Sequence, residues 1–118
     1  MYIQGFLVPV PGDKQDEYLD VAKFIGEIML DYGASEIVEA WEDDIKDGEL
    51  TDFRMAVKAE EGEIVVFSWV IWPDKQTAED AHDKMMADER MQREWNMPFD
   101  GKRMVLGGFK PIWTAGRS

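Results

Sequence analysis

The chain contains a single histidine, His82, which is the first candidate for a catalytic residue. Its neighbours Ala78, Met85 and Met86 stand at helical spacing, so His82 is expected on a helix. An imidazole there can act as a general base. A single histidine on a helix is more often a partly buried packing residue or a surface residue. Glu79 is near in sequence, but no spacing guarantees a hydrogen bond to it. We take His82 as the candidate catalytic residue.

A second candidate site is the loop at 96–103, where Asp100, Lys102 and Arg103 cluster. Lys102 or Arg103 would hold an anionic or enolate-like ligand at the border of a cavity. The alternative is an Asp-Gly turn that sets the register of the sheet edge. Exposure of the apolar Phe99 side chain in a solvated loop is unfavourable, so we expect it to enter the protein and anchor this segment.

The chain has five tryptophans, and Trp41 and Trp69 are the candidate ligand-binding residues among them. Aromatic side chains that line a cavity bind flat ligands, although they more often serve as core or interface anchors. The sequence has no zinc-ligand spacing, phosphate loop, dinucleotide fingerprint or nucleophile elbow. It therefore predicts no metal and no cofactor.

Composition limits the partners. The net charge is −12, from 25 acidic against 13 basic residues, and no basic stripe stands out. Phosphate backbones require such a stripe, so we expect no nucleic-acid binding. No run approaches the ~18 apolar residues of a membrane span, so no membrane partner is expected. The absence of cysteine and of a signal peptide favours a cytoplasmic protein.

The elements that must position these residues follow from periodicity. With 118 residues, the chain 1–118 is expected to form one domain. Strands are predicted at 2–10, 35–43, 64–72 and 103–113, with helices at 13–32 and from Asp74 or Thr77 to 87. Asp13 is the expected cap of the first helix, and Gly33 its expected end. Residues 53–59 fit either a strand or a short helix. Gly107-Gly108 predicts a bulge or a close approach of another backbone.

The order β-α-β-β-α-β predicts an α+β protein with a ferredoxin-like antiparallel sheet and both helices on one face. The central strand 64–72 is apolar on both faces, because Phe67 and Trp69 alternate with Val66 and Val70. Two helices cover only one face. We therefore expect the second face to be covered in a homodimer, with loops folded over the sheet of a monomer as the alternative.

Three segments carry a resemblance to a known family. They are Val57-Lys58-Ala59-Glu60, Val65-Val66-Phe67-Ser68-Trp69 and Met97-Pro98-Phe99-Asp100-Gly101-Lys102-Arg103-Met104, followed by Gly107-Gly108-Phe109. They resemble the uncharacterised bacterial family DUF1428. This resemblance implies a dimeric α/β barrel, among whose relatives are cofactor-independent monooxygenases and haem-handling enzymes. It implies a small-molecule cavity, and His82 as a residue near the barrel mouth. A non-catalytic dimer that acts through protein contacts is the alternative function.

Overall fold

In the computed structural model, which describes residues 1–116, four antiparallel strands form one open sheet and three α-helices flank it. In chain order the elements are β1 (Tyr2–Pro11), α1 (Gln15–Asp31), β2 (Glu36–Trp41), α2 (Phe53–Ala56), β3 (Glu63–Trp72), α3 (Lys75–Ala87) and β4 (Val105–Phe109). The strands lie in the order β2-β3-β1-β4, and the sheet does not close. The prediction of an α+β fold with an antiparallel sheet is confirmed.

β1 and β3 form the centre of the sheet, and they pair along their whole length from Tyr2↔Trp72 to Pro11↔Glu63. Successive side chains of a strand point to opposite faces. On β3 the buried residues Val66 and Val70 therefore share one face. That face packs against both long helices, because its buried clusters include residues of α1 and α3. The two edge strands, β2 and β4, border this core.

α1 begins two residues later than predicted. The backbone N–H of Lys14 bonds to the carbonyl of Pro11, so a turn occupies the position of Asp13. Lys14 takes the N-cap position without a side-chain cap, and the prediction that Asp13 caps the helix is wrong. The predicted end is confirmed. Gly33 has φ +110°, in the left-handed region, and its N–H bonds to the carbonyl of Leu30.

In the ambiguous segment 53–59, residues Phe53–Ala56 form the short helix α2, and no strand is present. The carboxylate of Asp52 accepts a 2.7 Å hydrogen bond from the N–H of Met55, which caps the helix. α3 is capped in the same way, since Asp74 accepts from the N–H of Thr77 at 2.7 Å. Of the two predicted caps for α3, Asp74 is therefore the one used.

The last strand is shorter than the predicted 103–113. Residues Gly101–Arg103 form a 3-10 turn capped by Asp100, so pairing starts only at Val105. Pro111 lacks a backbone N–H and cannot extend the pairing on the other side. The β1–β4 register is continuous across Gly107 and Gly108, so no bulge is present there. The close approach at Gly108 comes from a side chain, because a Cβ would lie 1.8 Å from Tyr2 Oη.

The sheet face opposite the two long helices is largely apolar and only partly covered. We call it the open face. Its apolar side chains include Ile3, Leu7, Val38, Phe67, Trp69, Ile71, Val105 and Phe109, from all four strands, and the acidic residues Glu36 and Glu63 share the face. α2 covers one end, where Phe53 packs edge-on against Phe67 with ring centroids 6.2 Å apart. Elsewhere the face meets solvent, and Phe109 is 63 % exposed.

Candidate functional site

A cavity lies between α1 and the sheet. Its volume is about 110 Å³. Apolar side chains and one glycine line most of it: Phe6, Val8, Val21, Ala22, Ile25, Gly26, Met29, Ile37, Val70, Phe99 and Met104. Three polar side chains complete the lining, namely Tyr18, Glu39 and Ser68. An apolar hollow with a few convergent polar groups is the usual form of a small-molecule site.

The three polar side chains come from three elements and meet at one end of the cavity. Tyr18 lies in the first turns of α1, and its hydroxyl donates a hydrogen bond to Glu39 Oε1. Ser68 of β3 lies directly opposite Glu39 of β2 in the antiparallel pairing. Tyr18 and Ser68 are buried, with exposures of 8 % and 3 %. We refer to Tyr18, Glu39 and Ser68 as the polar cluster.

Glu39 is exposed as a residue, but its carboxylate is partly buried. The residue is exposed as a whole because β2 is an edge strand. Its carboxylate nevertheless points among protein atoms, and this burial raises the pKa of Glu39 above its usual 4.5, while hydrogen bonds from Tyr18 and Ser68 partly oppose the rise. Burial, with the hydrogen bond to Glu39 and its charge, raises the pKa of Tyr18 far above 10.0. Tyr18 therefore stays a neutral donor at any physiological pH.

Glu39 also connects the cavity to solvent. An outer hollow of about 240 Å³ lies on the other side of Ala22, Gly26, Ile37 and Glu39, which line both spaces. A smaller hollow of about 50 Å³ lies beside Trp41 and again includes Glu39. A side chain at Gly26 would narrow the gap between α1 and β2, because its Cβ would lie 3.4 Å from Ile37 Cδ1. The passage between α1 and β2 is thus bordered by two small residues, Ala22 and Gly26.

Sequence reasoning missed the polar cluster. In the sequence, Tyr18 belongs to the apolar stripe of the first helix, and Glu39 and Ser68 lie within the predicted strands 35–43 and 64–72. One signal was available: Glu39 stands between Ile37 and Trp41 at alternate positions, so it shares the face that those two side chains bury. A carboxylate at a core-facing strand position needs a hydrogen-bonding partner, and such positions are candidates for function.

The loop 96–103, which contains the candidates Lys102 and Arg103, lies beside the cavity, but its basic side chains do not line it. Phe99 enters the protein as expected, since it lines the cavity and packs edge-on against Tyr18 with centroids 5.8 Å apart. Arg103 binds Glu63 through two hydrogen bonds of 2.6 and 2.8 Å, and Asp100 at 3.1 Å. Lys102 is exposed, and neither basic residue lines the cavity.

The candidate tryptophans lie on opposite faces of the sheet. Trp41 lines the small hollow and packs against Tyr18 with ring centroids 6.3 Å apart. Trp69 belongs to the open face, where it packs against Phe67 at 5.5 Å. Neither lines the main cavity. Its aromatic side chains are instead Phe6, Tyr18 and Phe99, and the methionines among its lining residues are Met29 and Met104.

His82 lies away from this site. It is exposed on α3, in a shallow surface depression that Tyr2, Gln4 and Asp83 also line. The structure thus does not bring His82 together with Trp41, Trp69, Lys102 or Arg103. Among residues 1–116, no three histidine, aspartate or glutamate side chains are grouped to hold a metal ion. Within the same residues, no helix has the length and apolarity needed to cross a membrane.

The fold and site define a small α+β protein with a partly polar cavity between a helix and an open antiparallel sheet. Residues 1–101 match the family described as "Protein of unknown function (DUF1428)", and the chain belongs to this family. It is 52 % identical to the uncharacterized protein YbaA of Escherichia coli K12 over 112 residues, which cover 94 % of this chain and 96 % of that protein. YbaA of Shigella flexneri shows the same identity and coverage.

Proposed function

We propose that this protein binds a small, largely apolar molecule in the cavity between α1 and the sheet. The observation that carries the proposal is the polar cluster: a carboxylate with a raised pKa lies beside two buried hydroxyls in an otherwise apolar hollow. Such a carboxylate weakens the folded state, because its charged form loses hydration there. A side chain that destabilises the fold in this way is expected where it contacts a ligand.

The lining residues support binding in physical terms. Apolar contacts with side chains such as Ile25 and Met29 supply affinity, whereas the polar cluster orients the molecule. The volume of about 110 Å³ is near the size of an engineered apolar cavity of about 150 Å³ that accepts benzene. If the bound molecule reacts, Glu39 is the group placed to accept or return its proton. The oxygenase chemistry implied by the resemblance gains no support from the relatives or the cavity, and it is not part of the proposal.

We further propose that the working form is a cytoplasmic homodimer of ferredoxin-like subunits, joined as a dimeric α/β barrel through the open face. Large exposed apolar patches mark interaction sites. Two further apolar residues, Leu50 before α2 and Met55 within it, are also exposed. An identical partner covers such a face with its own copy of the same residues, which closes the assembly by two-fold symmetry.

The open face also favours the alternative, a non-catalytic dimer that acts only through protein contacts. The two functions differ in what they require of the cavity. A ligand-binding protein needs an empty and accessible cavity. A protein that acts only through protein contacts would keep its function if a larger side chain filled the cavity.

The test compares the wild type with a variant whose cavity is filled, Val21→Phe. Val21 lines the cavity and does not line the outer hollow. The protein would be purified from its own source for native mass spectrometry, and amide NMR shifts would be followed during titration with small apolar fragments. We expect a retained mass or fragment-induced shifts around Tyr18 and Glu39 in the wild type, and neither in Val21→Phe. A wild type that retains and binds nothing, or a variant that binds equally well, would contradict ligand binding.

A further inference from the structure

We infer that the ligand of this cavity is a small organic cation, a protonated amine on an apolar group of about five or six carbon atoms. The inference rests on the proposed function and adds the chemical class of the molecule. It reverses the charge expected from the sequence, where Lys102 and Arg103 pointed to an anion.

The first argument is charge. Among residues 1–116, the lining of the cavity contains one carboxylate, Glu39, and no cationic side chain. Arg103 is occupied by Glu63 and Asp100, and Lys102 faces solvent. A carboxylate among apolar side chains favours a cation and repels an anion, because protein atoms replace part of the water that would screen its charge.

The second argument is the direction of the hydrogen bonds. Tyr18 gives its hydroxyl hydrogen to Glu39, so the phenol oxygen offers only its lone pairs to a ligand. Ser68 lies directly opposite Glu39 in the β2–β3 pairing, and its hydroxyl oxygen has lone pairs that can accept a hydrogen bond from a ligand. The polar cluster therefore presents acceptors. An ammonium group has three donors and no acceptor, which matches this arrangement.

The third argument is access. Lys23 and Glu27 lie in the outer hollow, one of each sign, so they give the entrance no net charge. Within residues 1–116, the titratable and polar groups that share a hollow with Glu39 are these two residues together with Gln15, Tyr18 and Ser68. The chain as a whole carries −12, which raises the local concentration of cations over anions near its surface.

The experiment uses three probes with one carbon skeleton: 3-methylbutylamine, 3-methylbutan-1-ol and 3-methylbutanoate. Affinities would be measured by NMR titration of the full chain at neutral pH. We expect the amine to bind at least about tenfold more tightly than the alcohol, since a hydrogen bond to a charged group has this magnitude. The carboxylate probe should not bind measurably.

The matched variant is Glu39→Gln, which keeps an oxygen for the Tyr18 hydroxyl and removes the charge. We expect it to lower the affinity for the amine to about that for the alcohol, because the charge that distinguishes the two probes is gone. Should this variant not fold, the wild type is titrated with pH. Amine binding should then weaken as the pH falls through the raised pKa of Glu39, while alcohol binding stays constant.

The outcomes separate the two proposals. Equal or tighter binding of the alcohol or the carboxylate probe, or undiminished amine binding by Glu39→Gln, would overturn the cation and leave the cavity as a binding site. Failure of all three probes to shift any amide of the cavity, together with no retained natural ligand, would overturn the proposed function itself.

Discussion

The Tyr18 hydroxyl donates a hydrogen bond to the Glu39 carboxylate across the gap between α1 and the edge strand β2. These two residues are 21 positions apart in the chain. Their contact ties the start of the helix to the edge of the sheet at the point where the cavity opens. The same atoms are the proposed ligand contacts, so the stability of the empty protein and its binding properties depend on one pair of side chains.

Replacing Glu39 by glutamine should stabilise the protein at neutral pH. The folded-state pKa of Glu39 is raised, chiefly by burial. Its contribution to stability is therefore fully present below the ordinary pKa of 4.5 and is lost as the pH rises through the folded-state pKa. Glutamine does not ionise and avoids this loss. We expect Glu39→Gln to raise Tm by about 2 °C at pH 7, a small figure because solvent reaches the residue.

Thermal unfolding followed by circular dichroism at pH 4 and pH 7 checks this prediction. The difference in Tm between Glu39→Gln and the wild type should shrink at pH 4, where Glu39 is mostly protonated in both the folded and the unfolded chain. A variant less stable than the wild type at pH 7 would mean that the charged carboxylate stabilises the fold, and the argument from burial would fail.

Truncating Phe99 should loosen the loop and enlarge the cavity. Phe99 is half-buried between Tyr18 and the cavity. We expect Phe99→Ala to lower the free energy of unfolding by about 2 kcal/mol, less than a fully buried phenylalanine would. Met97→Ala in the same loop is the control, with an expected loss of about 0.5 kcal/mol. Urea denaturation measures both, and equal losses would show that Phe99 does not anchor the loop.

Arg103 should act on stability rather than on binding. Its hydrogen bond to Glu63 is the main cause of the lowered pKa of Glu63. A lowered carboxyl pKa stabilises the fold above the ordinary pKa of 4.5, and this contribution is lost as the pH falls. We expect Arg103→Met to lower Tm at pH 7, and the difference from the wild type to shrink toward pH 3. Lys102→Met, on an exposed side chain, is the control and should change Tm little at either pH.

The parts of this fold that follow from local patterns were predictable from sequence. The spacing of Tyr18, Val21 and Ile25 identified α1, and the apolar run at 64–72 identified β3. Element ends were less predictable, because they depend on neighbouring turns. The Pro11–Lys14 turn delays α1, and the 3-10 turn at Gly101–Arg103 delays β4.

The candidate site was not predictable in the same way. The polar cluster exists because α1 packs over β2 at one angle and because β2 pairs with β3 in one register. Neither relation leaves a local signature around Tyr18 or Ser68, and for Glu39 the available sign is its strand position between Ile37 and Trp41. Arg103 shows the opposite problem: its charge suggested a ligand, but pairing with Glu63, 40 residues away, accounts for that charge.

The last prediction concerns the open face and the proposed homodimer. An interface that forms a stable dimer buries on the order of 1,600 Å² in total, and obligate ones bury more. Phe67 is 47 % exposed at the centre strand of this face, next to Phe53 and Trp69. Phe67→Asp places a charge where the partner's apolar side chains would lie. We expect it to convert the dimer to folded monomers at micromolar concentration.

Two matched variants make this test specific. Val66→Asp, one residue away, puts the charge on the face that packs against the helices, where Val66 is 1 % exposed. It should unfold the chain, because a buried unpaired carboxylate has no partner there. Met86→Asp, at an exposed position of α3, should leave both fold and assembly unchanged. Light scattering reports the mass and circular dichroism the fold. A wild type that scatters as a single chain, or a Phe67→Asp variant that remains dimeric, would remove the open face as the interface.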